Sequence, residues 1–360
     1  MTAITRKPAF WIAFAVISML SAAFAWRFFP QALPLIKLDV KMTRDDALDR
    51  ASALAGKLDL APLGARRAAL FTHDGATQNF VELDAGGKAK FAELLTGKIY
   101  APYWWEVRLF RPSETAEARV RFRPDGLPYG FQLKLPEAEP GAALDTNAAR
   151  AIAEARARDD WAVDFVPYKL LEQSDVRRSG GRVDHAFVYE REHEPLGDGR
   201  FRMRLGVAGN RLSEVSHYVY VPEAFKLRFQ EMRSNNETIA KVASYAAFAF
   251  YGIGGCILGT LWLLRRRALL WKCALVAGAI VAGINALAML ANATQAWFSY
   301  DTAQPVWVFW GSQFGIALLV FLVGSLGLAL VFMAAEGLSR RAFPDHPQLW
   351  RIWSREAAPT

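Results

Sequence analysis

The sequence predicts a membrane protein of mixed class, with an α-helical transmembrane part of four spans and an α+β extracytoplasmic domain made of two helix-plus-antiparallel-sheet repeats. Three observations carry that prediction. Val242–Leu264 is an uncharged run of about 23 apolar or small residues, which at ~1.5 Å rise per residue crosses the ~30 Å hydrocarbon core. Arg265, Arg266 and Arg267 close it and mark its cytoplasmic end, so this helix runs from outside to inside. Between residues 31 and 240 the composition turns polar, and short amphipathic helices are followed twice by stretches of period-two alternation.

The hydrophobic fraction of 53% and the net charge of +8 therefore average two different compositions. Many Lys and Arg residues flank apolar runs or alternate with Asp and Glu on strand-like stretches. With no basic helix and no aromatic-basic stripe, the charge reads as membrane topology, and no nucleic-acid partner is expected. Both cysteines, Cys256 and Cys273, fall in apolar runs, which excludes a disulfide framework and a Cys-based zinc site in the polar segment.

Residues 1–30 read as an anchor. Arg6 and Lys7 precede the apolar run Ala9–Trp26, which is longer than the ~7–15 residues of a signal-peptide core. Bulky Trp26 and Phe28 follow the small residues that would suit cleavage, so an uncleaved anchor is preferred over a signal peptide. Its positive flank puts the N-terminus inside, in agreement with Arg265–Arg267.

Residues 31–140 form the first α+β unit. Thr43-Arg44-Asp45-Asp46 makes a capping-box-like start, and Leu48, Ala51, Leu54, Ala55 and Leu58 follow at helical spacing. Trp105–Phe110, Ala118–Phe122 and Phe131–Leu135 alternate as strands, with Pro124-Asp125-Gly126 as a turn. Residues 141–224 repeat the plan. Asp145-Thr146 starts a helix with Ala149, Ile152, Ala153 and Ala157 on one face, and the strands are Ala186–Tyr189, Phe201–Leu205 and Val215–Val221 with a Gly209-Asn210 turn. Both units end alike, in Leu135-Pro136-Glu137-Ala138 and Val221-Pro222-Glu223-Ala224.

Residues 225–241 are a juxtamembrane connector, helical or flexible. Three spans then follow within 242–335, at about 242–264, 273–292 and 311–335, and 336–360 is a cytoplasmic tail or linker in which Trp350, Ile352 and Trp353 sit among Arg351 and Arg355. Trp297, Tyr300, Trp307 and Trp310 lie at the depth of an aromatic belt. Gly252, Gly254, Gly255, Gly259, Gly278, Gly283, Gly315, Gly324 and Gly327 permit close helix packing, and Asn285, Asn292 and Gln313 read as interhelix hydrogen-bonding groups. Both termini are expected in the cytoplasm, with 31–240 periplasmic and the whole chain in a bacterial inner membrane.

Few residues in the polar part suggest chemistry. His185, His193 and His217 sit in one unit without a spacing that forces them together, so they read as strand and surface histidines rather than a zinc site. Trp104 and Trp105, near Tyr100 and Tyr103, read as core of the first sheet and its edge, with a peptide-binding platform as the functional alternative.

Arg182–Glu190, Tyr218–Phe225 and Ala335–Pro344 resemble segments of large bacterial CPBP-type (CAAX protease and bacteriocin-processing, or Abi) intramembrane metalloproteases, in the region that precedes their protease core. The two α+β units are similar to PepSY-type modules. The resemblance implies a core built on Glu-Glu-x-x-x-Arg and intramembrane histidines, but this chain has no Glu-Glu pair, and none of its five histidines lies in a span. Glu336 and Arg340 keep only part of the motif, with Ala335 at the other acidic position. No catalytic, cofactor-binding or metal residue is carried over. The expectation is a regulatory and substrate-recognition part of such a protease, with the core following in the chain or supplied by a partner. The alternative is a stand-alone, non-enzymatic membrane protein whose outer domain binds a peptide or envelope partner.

Overall fold

A computed structural model describes residues 8–32, 36, 38–61, 64–96 and 99–343. The chain divides into two compact units, Met1–Lys226 and Leu227–Thr360. Arg6, Lys7 and the aromatic tail around Trp350 lie outside the described residues.

The first unit begins with helix α1 (Pro8–Ala32), whose apolar side chains are exposed almost throughout. Helix α2 (Arg44–Leu58) starts on the capping box that the sequence predicts: the Thr43 hydroxyl accepts from the Asp46 amide at 3.2 Å, and the Asp46 carboxylate accepts from the Thr43 amide at 3.1 Å. Such a cap contributes about 1 kcal/mol. The helix ends where Asp59 turns left-handed. Strand β1 (Arg66–His73), helices α3 (Gly75–Asp84) and α4 (Gly87–Leu94), and strands β2 (Tyr103–Phe110), β3 (Glu117–Phe122) and β4 (Pro128–Lys134) complete the first half. The second half runs α5 (Thr146–Trp161), β5 (Tyr168–Arg177), β6 (Val183–Arg191), β7 (Arg200–Ala208) and β8 (Arg211–Tyr220).

All eight strands join one antiparallel sheet in the order β1-β2-β3-β4-β8-β7-β6-β5. The halves meet at β4 and β8, where Phe131 faces Val215 and Gln132 faces Glu214. Gly130 is required at that seam, because a Cβ there would lie 2.2 Å from the Val215 carbonyl oxygen. Helices α2 and α5 pack on one face with alanines, Ala47, Ala51 and Ala55 from α2 and Ala149, Ala153 and Ala157 from α5, so their backbones come close to the sheet. They cover Val107, Val120, Phe131, Phe187, Met203 and Leu205, and the Trp161 ring stacks on Phe131 at 4.7 Å.

The six strands expected from alternation are present as β2, β3, β4, β6, β7 and β8. Strands β1 and β5, the two edges, and helices α3 and α4 are additions. Strand β2 lies between β1 and β3, so Trp104 and Trp105 are not at an edge.

In the second part of the chain the connector is helical. Helix α6 (Glu223–Ala247), a π-helical segment (Phe248–Leu258) and helix α7 (Gly259–Arg265) follow without a break. Helices α8 (Trp271–Ala291), α9 (Ala293–Ala296) and α10 (Val306–Ala342) come next. The helices at Pro8–Phe29, Glu223–Arg265, Trp271–Ala291 and Val306–Ala342 are four that are long and apolar enough to cross a membrane. Glycines set their contacts only in part. A Cβ on Gly278 would meet the Ser325 carbonyl oxygen at 2.8 Å and the Ala329 nitrogen at 2.9 Å, whereas Gly315 and Gly327 face open space. The amides do not bridge helices as expected: Asn285 and Asn292 donate to the carbonyls of Val281 and Ala288, four residues back on their own helix. Trp297 packs with Tyr300, Phe309 and Trp310, while Trp307 stands exposed.

Candidate functional site

Because side chains alternate along a strand, the face of the sheet opposite α2 and α5 carries the residues between the core positions. These are charged. On β2 and β3, Arg108 donates to Glu117 through Nε at 2.8 Å, and Arg119 and Arg121 reach Glu106 at 3.3 and 3.0 Å. Glu106 also accepts from the Trp104 indole at 3.2 Å, and Arg121 lies 5.3 Å over that ring. Glu106 and Arg108 are buried, so their pairing is obligatory: an unpaired charge in such a place costs several kcal/mol. The pattern continues across the seam. Arg204 pairs with Glu214 at 3.2 Å and Arg202 with Glu190 at 2.9 Å.

The end of the charged face near β5 and β6 is held by Arg182. Its side chain is buried against Gly141 and Gly209, where any Cβ would crowd it, and it donates to Asp184 at 2.7 Å and to the Glu139 carbonyl at 3.1 Å. Arg178 reaches the same carboxylate at 2.7 Å. Burial pushes Asp184 up, but the hydrogen bonds from Arg182 and Arg178 outweigh it and hold its pKa below the usual range. The Arg182–Glu190 stretch therefore clamps the link between the two halves to the second half.

A cavity of about 560 Å³ opens on this face, with Arg119, Lys134, Arg178, Arg204, Glu117 and Glu214 among its lining. Most of those charges are already paired. Lys134 is not: it is exposed and has no acidic partner among the described residues. Ser174 and Val176 of β5 form one wall, which links the cavity to the sheet edge. Among the described residues the ten-residue strand β5 pairs only with β6, with a register shift between Leu170 and Glu172 that leaves Leu171 without a partner in the register. Its residues from Leu171 to Arg177 are exposed, and among the described residues no strand lies on its outer side, which makes it an edge.

The structure does not gather the three histidines. His185 is buried, with Nε2 3.0 Å from the Leu144 carbonyl oxygen, and His193 sits in the β6–β7 turn at φ 63°. His217 stacks on Tyr129 at 4.9 Å, and burial first, then Arg121, lowers its pKa to about 4. Among the described residues no group of three or more His, Cys, Asp or Glu could hold a metal ion. Near Tyr129, the Tyr100 hydroxyl donates to Asp74 at 2.7 Å, and burial followed by the Asp74 charge pushes its pKa well up. Asp74 also caps α3, so Tyr100 and Tyr103 serve the core, as one of the two sequence readings expects.

The edge β5 and the cavity beside it escaped sequence reasoning. The available signal was the exposed pattern Lys169, Glu172, Asp175 and Arg177, which a loop would also carry. No family model, no curated protein and no solved structure matches this chain.

Proposed function

We propose that this chain is a membrane-anchored recognition protein whose sheet domain lies outside the cytoplasm and binds an extended peptide segment of an envelope protein or protease substrate. The observation that carries this reading is strand β5, a ten-residue strand whose outer side has no partner strand among the described residues, adjoining a cavity that offers the exposed Lys134. An extended chain adds to such an edge through backbone hydrogen bonds, while neighbouring side chains select it. The Lys134 ammonium at the cavity favours a segment with a carboxylate.

In this reading the four apolar helices are spans of a bacterial inner membrane with both termini inside, placed so by Arg265–Arg267 and Arg340-Arg341. The two halves of the sheet, each a helix followed by strands, correspond to PepSY-like units. The resemblance of Arg182–Glu190, Tyr218–Phe225 and Ala335–Pro344 to CPBP-type proteases extends the proposal: the chain recognises or restrains substrate for a metallopeptidase core outside these residues and carries no catalytic group itself. A second reading is a sensor or scaffold that uses the same edge without a protease core.

A photoreactive amino acid at Val176, compared with one at exposed Leu127, tests recognition in intact cells. The expected result is a discrete adduct at Val176 that disappears when Lys134→Glu reverses the charge. Equal labelling at both sites, or adducts indifferent to Lys134→Glu, would count against the edge.

A further inference from the structure

The ends of α7 and α10 bring cations together on one indole. Arg266 lies 5.7 Å and Arg341 4.7 Å from the Trp262 ring centroid, so guanidinium groups from two different helices meet there. The helices that supply them are in close contact, with Gly337 against Leu263 and Gly259 against Leu338. The backbone then turns at Arg267, which takes a left-handed φ of 51°. The amides of Arg266, Arg267 and Ala268 bond back to the carbonyls of Trp262, Leu264 and Leu263 at 3.1, 3.0 and 3.0 Å. This closure leaves Arg265, Arg266 and Arg267 exposed around the helix end. Lys272, at the start of α8, lies 5.6 Å over the Trp271 ring.

Among the described residues, none of Arg265, Arg266, Arg267, Lys272 and Arg341 has a carboxylate partner, whereas neighbouring Arg340 pairs with Glu336 at 2.7 Å. Arg266 and Arg341, both within 5.7 Å of the centroid of one ring, repel each other, and an anion beside them relieves that repulsion. A guanidinium held over an aromatic ring keeps its N–H edge free, and that edge matches a phosphate oxygen pair. Indoles such as Trp262 and Trp271 favour the depth at which headgroups begin.

We propose that this cluster is a headgroup site for an anionic phospholipid, with the phosphate held by Arg266 and Arg341 beside Trp262. Arg265 and Arg267, exposed on either side of Arg266 in the chain, add positive charge at the same helix end, as basic pockets between spans do for acidic lipids. The inference rests on reading α7, α8 and α10 as membrane spans.

The test is native mass spectrometry of the full chain titrated with phosphatidylglycerol or with phosphatidylcholine of the same acyl chains. The expected result is selective retention of phosphatidylglycerol, lost in the Arg266→Gln/Arg341→Gln variant and kept in Lys57→Gln/Lys88→Gln, which removes the same charge from exposed positions of the sheet domain. Arg266→Lys/Arg341→Lys keeps the charge without the fork, and should weaken retention several-fold without abolishing it, which covers the case in which the neutral variant does not fold. No preference in the parent chain, or equal loss in the control pair, would overturn the site. Displacement of the lipid by inorganic phosphate would make it a free-anion site and overturn the proposal as well. Alkaline carbonate extraction separates the two claims: a chain that stays in the membrane but shows no lipid preference refutes this site alone, and a released chain refutes the spans.

Discussion

His217 links the chemistry of one side chain to the stability of the domain. It sits on β8 opposite Met203, stacked on Tyr129 with Arg121 as the nearby charge, and its pKa is lowered to about 4. The fold therefore prefers the neutral ring. The stability this confers is complete above the unfolded value near 6.5 and is lost as pH falls towards 4. From pH 7.5 to pH 5 the loss should be about 2 kcal/mol, read as the urea midpoint followed by hydrogen exchange in β8. His217→Phe keeps the stack and should remove that dependence; the same loss in the variant would contradict the assignment. Burial pushes both Asp184 and Glu154 up, but hydrogen bonds from Arg182 and Arg178 to Asp184, and from Tyr189 and then Arg150 to Glu154, outweigh it and hold both pKa values low, so these groups act only in a lower window. From the sequence, His217 was legible as a strand residue. Its packing was not, because that depends on Tyr129, 88 positions away in the chain but directly across the β4–β8 seam.

Helices and strands whose residues carry their own pattern were the ones read correctly. The Thr43 capping box, the Asp145 cap and the alternating interior strands are local signals, and each stands where expected. Strand β5 was hidden by its bulge after Leu170, which breaks the alternation, and β1 by the weakly patterned Arg66-Arg67-Ala68-Ala69. In the long apolar helices, glycine content was legible but its use was not, since only some of the glycines face a neighbour. This separates two substitutions that look alike in sequence. Gly278→Leu drives a side chain into the backbone of Ser325 and Ala329, whereas Gly327→Leu enters open space. A disulfide between Ala282→Cys and Gly324→Cys, whose Cβ positions lie 3.3 Å apart, reports the α8–α10 contact in a chain lacking Cys256 and Cys273. It should form in the parent, fail with Gly278→Leu and persist with Gly327→Leu. Formation in both would show that the contact does not depend on Gly278.

For the chain as a whole, two independent charge arguments, from the N-terminal flank and from Arg265–Arg267, agree on one topology, and the proposed recognition role depends on it. The pairing of both halves into a single sheet was not legible, because it rests on the β4–β8 pairing and a backbone contact at Gly130. The exposed edge β5 can meet an envelope partner only if the sheet lies outside. Ser179, in the turn before β6, and Ser339, near the end of α10, are both exposed and report opposite ends of that claim. The decisive measurement is labelling of single cysteines at these positions in intact cells, with a membrane-impermeant maleimide and a chain lacking Cys256 and Cys273. Labelling at Ser179→Cys, with Ser339→Cys protected until the membrane is opened, is the predicted result; the reverse would place the sheet in the cytoplasm and contradict both the topology and the proposed partner.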